Sequence, residues 1–456
     1  MKSISVLLII LLLLISNILY AGEVITLNDV TVNTIKTNEK LISLKTQIDI
    51  SEITYVENYK KFIPDVSLKY EQQKQNNYQS TDMDNMSAYA EVSYIVKTSG
   101  ETFISRDIEK IEILSLKNEY SKAKNEIIMS VVGCYYSLIL KSIEIELNND
   151  LMNTIKKQKE IALTERKLGM STDLDVYKLD SKLYEAIYSE KKLKNELNDL
   201  AVELKTLSGI QFFGIPNIEK KIPTLSKMLI NYEKMKTTRK NPNITNNYDI
   251  ISNKNNLIKN GYSLILSNRE MFPDVKIFTN YGYTGEEFPL NQKKWGVGAT
   301  VSFSAFSNSQ SLTDSYNESN NGTLKTRSQN AQVDVLNDPN FYSRNLSAKS
   351  SYKTTLMQTD ALKEQVKYSI ERQFNSIDEI LEMKNIAEKN YDVINKQIAI
   401  EEVRRKTGEI THIDLINVYV EAKKAKMEVY NSQVNLINNM YKLHYFFGTE
   451  IINPSE

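Results

Sequence analysis

From Ile104 to Leu168 the chain runs 65 residues without a proline and with a single glycine, Gly133. Apolar residues step through the segment by three and four, as at Ile127, Val131, Cys134 and Leu138, which is the period of a helix with one apolar stripe. At 1.5 Å per residue such a helix reaches about 100 Å, too long for a compact globule. It needs other helices laid alongside. A return pattern follows Gly169, with Val176, Leu179, Leu183 and Ala186, then Leu197, Leu200, Leu204 and Leu207. The predicted unit is therefore a long antiparallel hairpin with a coiled-coil seam.

The hairpin belongs to a two-fold internal repeat. Phe62-Ile63-Pro64-Asp65-Val66-Ser67-Leu68 is echoed by Met271-Phe272-Pro273-Asp274-Val275-Lys276-Ile277. Arg166-Lys167-Leu168-Gly169 with Asp175 is echoed by Arg405-Lys406-Thr407-Gly408 with Asp414, and each half closes on a glycine, Gly209 or Gly448, the same 40 residues further on. The second half is longer by about 30 residues. They fall in a stretch of Ser, Asn, Gln, Thr and Asp near 307–343, whose composition buries too little apolar surface to order itself and reads as an inserted loop.

After Pro64 and Pro273 the period drops to two. Trp295, Val297, Ala299, Val301, Phe303 and Ala305 alternate with Gly296, Gly298, Thr300, Ser302 and Ser304, and Ala88, Ala90, Val92, Tyr94 and Val96 do the same against Glu91, Ser93 and Lys97. Each run has a partner strand before it, through Val66, Leu68 and Tyr70 or from Val275 and Ile277 to Tyr281 and Tyr283, with polar loops at 71–86 and 284–293. Four strands with one apolar and one polar face suit a transmembrane barrel, where the apolar parity meets lipid. Trp295 and the tyrosines Tyr89, Tyr94, Tyr281 and Tyr283 suit its interfacial girdles. Open strand edges are prohibitive in lipid, so several chains have to share one barrel.

Other features exclude functions. Lys and Arg number 57, as do Asp and Glu, so no field for nucleic acid is implied. One cysteine and two histidines, His412 and His444, supply neither a disulfide framework nor a zinc set; Cys134 reads as a small buried apolar residue. No nucleophile–base set or phosphate loop can be assembled, and neither an enzyme nor a cofactor is expected. Lys2, the apolar run Ile4–Leu19 and Leu19-Tyr20-Ala21 before Gly22 have the parts of an export signal, with an uncleaved anchor helix as the weaker reading. The expected layout is a signal (1–21); a first repeat (22–210), comprising a helix, a strand hairpin at about 63–98, a long helix at about 104–168 and a return helix at about 172–208; a linker or equatorial segment (211–243); and a second repeat (244–456), with a strand hairpin at about 273–306, the polar insert at about 307–343, a long helix at about 345–407 and a return helix at about 412–447.

This duplicated order resembles the TolC-type outer-membrane efflux proteins over essentially the whole chain after the signal. The resemblance implies a mixed α and β membrane protein: long coiled-coil hairpins forming an α-barrel, and four strands per chain contributed to a homotrimeric, twelve-stranded β-barrel in outer-membrane lipid. It implies an exit duct of a tripartite efflux or type I secretion system, passively conducting what a periplasmic adaptor and an inner-membrane pump or ATP-driven exporter deliver. By position, the tips at Gly169, Met170 and Ser171 and at Gly408, Glu409 and Ile410 correspond to the adaptor-docking surface. Asp414 corresponds to a ring aspartate of the periplasmic gate and Asp175 to the aspartate of its latch. Where relatives carry another aspartate this chain has Asn417, and the latch's aromatic and basic positions hold Arg405 and Ile410, a departure from the family.

Plainer readings stand beside these. Gly169 and Gly408 are the residues a helix C-cap requires, and Asp175 and Asp414 sit in first turns, where a carboxylate favours the helix dipole. Arg404-Arg405-Lys406 reads as a solvated face and His412 as a surface residue. Gly296-x-Gly298 precedes no helix and marks a crowded side of a strand. The rival to a duct is a trimeric coiled-coil scaffold or adhesin with no channel, which needs no lipid-facing parity.

Overall fold

The computed structural model describes residues 24–75, 83–212, 214–220, 222–223 and 225–449; the expected export signal lies outside them. Among the described residues the order is α1 (Leu27–Thr37), α2 (Glu39–Glu57), β1 (Asp65–Gln75), β2 (Met83–Lys97), α3 (Glu101–Lys167), α4 (Asp173–Ser208), α5 (Ser226–Lys236), α6 (Tyr248–Asn268), β3 (Asp274–Gly285), β4 (Gln292–Ala305), β5 (Asn308–Ser319), β6 (Leu324–Asp334), α7 (Phe341–Lys406) and α8 (His412–Phe447). They fall into two compact units, one built on 24–45, 119–248 and 363–449, the other on 46–118 and 249–362.

The first unit is helical. Its core repeats at three- and four-residue steps on each long helix: Val131, Leu138 and Ile139 on α3, Leu197, Ala201 and Leu204 on α4, Ile370, Phe374 and Ile377 on α7, and Leu436, Ile437 and Leu443 on α8 are all buried. Helix α3 has a window apolar enough to cross a membrane by length and composition, but 56% of that window is buried, as a packed helix requires. Cys134 is also buried, and desolvation pushes its thiol up to about 12, which leaves it unreactive. Within the 211–243 segment, α5 docks on α7: the buried Tyr232 donates to Asp378 Oδ1 at 2.7 Å, and Lys236 and Arg239 reach the same carboxylate. Burial would raise the Asp378 pKa, yet these partners hold it below the ordinary carboxylate range.

The second unit contains one antiparallel sheet in the order β1-β2-β3-β4-β5-β6. The register Leu68↔Ala90↔Tyr281↔Trp295 and the two-residue period of strands put Val66, Leu68 and Tyr70, Ala88 to Val96, Val275 to Tyr283, and Trp295 to Phe303 (alternate residues in each case) on one face. That face is apolar except for Thr279, and it is bare: Leu68 keeps 86% of its surface exposed, Ile277 52% and Val297 45%. The other face carries Lys69, Glu91, Asn280, Thr300 and Ser302. There Gly298 lies under the Phe278 ring, 2.4 Å from where a Cβ would stand, so the expected crowding is real.

Two expectations fail here. The sheet has six strands, not four, because the polar 307–343 insert is not a loop: it forms β5 and β6, paired in unbroken register from Trp295↔Glu318 to Ala305↔Asn308 and from Ser309↔Asp334 to Ser319↔Leu324. Composition misled because backbone pairing to the open edge of β4 orders a strand without burying apolar area. Asn321 (φ 57°) and Gly322 (φ 92°) turn the β5–β6 hairpin, and Phe306 and Ser307 (φ 52° and 65°) turn β4 into β5. Most of the expected 71–86 loop is likewise strand, to Gln75 and again from Met83.

Candidate functional site

The two helical turns are built alike. At the first, Gly169 takes φ 75° and Met170 N–H donates to Glu165 O at 2.8 Å; at the second, Gly408 takes φ 80° and Glu409 N–H donates to Arg404 O at 2.9 Å. This six-to-one bond over a left-handed glycine closes the helix C-terminus. Neither glycine has a neighbour within 4 Å of a built Cβ, so φ alone demands it. The return helices then start on identical capping boxes. Thr172 N–H and Oγ1 donate to Asp175 Oδ2 at 3.1 and 2.7 Å, and Thr411 N–H and Oγ1 donate to Asp414 Oδ2 at 3.0 and 2.7 Å. The cap threonines' hydrogen bonds hold both aspartates below the usual carboxylate range. Thr26 and Asp29 repeat the box at the start of α1, away from either turn, which makes capping the first duty of this motif.

Between the two hairpins lies a polar cluster that sequence reasoning missed. Arg405 on α7 donates to Glu165 on α3 and also meets the His412 ring. His412, expected at the surface, is 4% exposed: as the first residue of α8 it turns inward. Its Nδ1 lies 2.7 Å from Gln158 Oε1 and its Nε2 2.9 Å from Glu165 Oε2. The ring thus lies between the Gln158 amide on one side and the Glu165 carboxylate and Arg405 guanidinium on the other. Burial lowers the His412 pKa and the Arg405 charge lowers it further, against the pull of Glu165. Burial would raise Glu165, but His412 and Arg405 hold it low. These groups line a pocket of about 250 Å³ with Glu402, which accepts from Tyr419 of α8. Further along the same helices Lys423 donates to Asn148 Oδ1 at 2.6 Å, above a shared apolar seam of Leu151, Ile155, Leu179 and Ile416.

Of the residues singled out from sequence, Arg405 thus joins the two hairpins. Leu168, Met170 and Glu409 are exposed at the turns, Ser171 and Ile410 half-buried, and Asn417 exposed. Glu409 pairs with Arg404 at 3.2 Å. The signal for the missed contacts was weak: Glu165 and Gln158 face α8 only once the hairpins are registered, which no local pattern encodes. Among the described residues no group of three or more His, Cys, Asp or Glu is placed to hold a metal.

No family model matches the chain, and no curated protein matches it in sequence. Solved structures do. VceC of Vibrio cholerae, an outer membrane protein, superposes with a TM-score of 0.71 at 13% identity over 93% of this chain and 96% of its own. CusC gives 0.72 at 9% identity over 93% and 92%, and the outer membrane channel CmeC of Campylobacter jejuni 0.69 at 14% over 92% and 85%. The chain has the outer-membrane channel fold. In that fold the second unit's sheet, with its bare apolar face, and the first unit's paired hairpins are the two parts on which any function rests.

Proposed function

We propose that the protein is an outer-membrane exit duct of an efflux or type I secretion system. The supporting observation is the sheet: an exposed apolar face across β1 to β4 backed by a polar one is what a barrel wall offers to lipid and lumen, and no water-soluble scaffold gains from leaving Leu68, Ile277 and Val297 bare. The channel fold supports the same conclusion. Four such strands cannot close alone, so three copies supply twelve, and the long helices form a tunnel through the periplasm. Conduction is passive; an adaptor meets the turns at Gly169 and Gly408, and an inner-membrane transporter delivers the substrate. Asp414, exposed beside Asn417, is the residue we assign to an acidic ring, with Glu165, Arg405 and His412 as the latch that keeps the tips together.

The test is fractionation followed by conductance. Heat-modifiable trimers in the outer membrane that form ion-conducting pores in planar bilayers support the duct; a water-soluble periplasmic product without such trimers favours the scaffold. Block by trivalent cations from the tip side should be lost in Asp414→Ala, and unchanged block would remove the ring.

A further inference from the structure

The β5–β6 hairpin cannot be part of a lipid-facing wall. On the face where β4 carries Trp295, Val297, Ala299 and Val301, the register gives β5 Glu318, Tyr316, Asp314 and Leu312. On that same face Arg327 of β6 donates to Asp314 through Nη2 at 2.6 Å and Nε at 3.1 Å. Asp314 pairs with Ala299, which pairs with Ile277 and, through it, Tyr94, the middle of the apolar band. An arginine and an aspartate there would face hydrocarbon at the depth where charge costs most. The opposite face of the hairpin is Ser, Thr, Asn and Gln almost throughout, so neither orientation suits lipid. The apolar face ends at β4.

The free edge of β1 offers what the hairpin lacks. Val66, Leu68 and Tyr70 lie on the apolar face, and β1 runs antiparallel to β4, since every neighbouring pair between them is antiparallel. Its 11 residues match the β4 ladder from Trp295 to Ala305 now paired with β5, so the exchange keeps the backbone bonds while removing charge from the lipid side. The hairpin can leave without dragging the wall. It joins β4 through the two-residue Phe306-Ser307 turn, and its other end, Asp334, pairs with Ser309 near that turn.

We propose that in the assembled duct the β4 edge is taken by β1 of a second copy, and that the β5–β6 hairpin covers this edge only in the lone chain. The polar hairpin protects an unpaired edge from premature pairing and swings to the aqueous side on assembly. This rests on the duct reading. If the unsubstituted chain forms no outer-membrane trimer, that reading fails; the variants below test the hairpin alone.

Thr300 and Thr313 are direct cross-strand partners with hydroxyls 2.9 Å apart. In a Cys134→Ala background, the pair Thr300→Cys and Thr313→Cys locks β5 onto β4 by a disulfide. The oxidised chain is expected to remain monomeric in the membrane fraction, with at least a tenfold loss of heat-modifiable trimer, and to assemble once reduced. A locked chain that assembles undiminished overturns the proposal, because the hairpin would then be part of the wall. As a second variant, a chain lacking 308–334 is expected to form trimers of ordinary yield. Loss of its trimers while the unsubstituted chain assembles would overturn the proposal equally.

Discussion

Glu165 of α3 receives the Arg405 guanidinium of α7, with His412 wedged against both. A single carboxylate thereby joins the turn of one helical hairpin to the turn of the other. Both partners of the ion pair are half-buried, so loss of either leaves the other charge less well compensated.

Arg405→Ala should therefore loosen the tips more than a surface substitution would, at a cost of about 1–3 kcal/mol. Tm measured on the detergent-solubilised protein is expected to fall, and single-channel conductance to rise as the latch gives. Arg405→Lys, which keeps the charge but loses the fork geometry, should recover only part of either. Unchanged conductance in Arg405→Ala would remove the latch role.

Acidification should act at the same place. His412 is held neutral below its ordinary pKa, so the unfolded chain binds the proton more readily; its contribution to stability is present above about pH 6.5 and lost as pH falls below it. Burial is the main penalty on the incoming charge; Arg405 on α7, beside Lys406, adds to it, while Glu165 on α3 and Asp175 on α4 favour the charged ring. Glu165, also lowered, keeps its contribution until pH falls below about 4.3. His444 is likewise held below its ordinary value by burial. The difference in Tm between parent and His412→Gln, followed from pH 8 to 5.5, isolates His412 and should shrink as pH falls.

Capping and gating by Asp414 can be separated. Thr411→Ala removes the cap hydroxyl and is expected to cost about 1 kcal/mol, read as faster amide exchange in the first turn of α8 with cation block retained. Asp414→Ala should show both the faster exchange and the lost block. If Thr411→Ala abolishes block as well, the aspartate acts by geometry and not by charge.

The two sheet faces should answer differently to the same charge. Ile277→Lys, on the bare apolar face in mid-strand, is expected to cost about 2–4 kcal/mol in the membrane and to suppress trimers. Thr300→Lys, on the polar face, should assemble and shift ion selectivity toward anions. Equal tolerance of both, scored by trimer yield, would contradict the assignment of faces.

Much of this was legible in the chain. The period of 3.6 across α3 and the period of two across β4 each reflect burial on one side, and both survive because packing and local pattern agree. The glycines at 169 and 408 were legible because a left-handed C-cap leaves little choice. What escaped was structure held by backbone and by long-range register. Strands β5 and β6 bury no apolar stripe to be read, and the Phe306-Ser307 turn uses residues that avoid positive φ, although Asn321-Gly322 was a fair hairpin signal. His412 looked like a surface residue because its partners Gln158 and Glu165 are about 250 residues away in sequence.

The seam between β2 and β3 joins Lys97 to Asp274 and Met86 to Gly285, strands from opposite halves of the chain. Until the second repeat is available, β1 and β2 are a two-stranded ribbon with a greasy side and no third strand, which is marginal in water, and closing so long a loop slows the pairing. Maturation of this wall is therefore a late event: the first ribbon waits with its greasy side uncovered until the far half of the chain arrives.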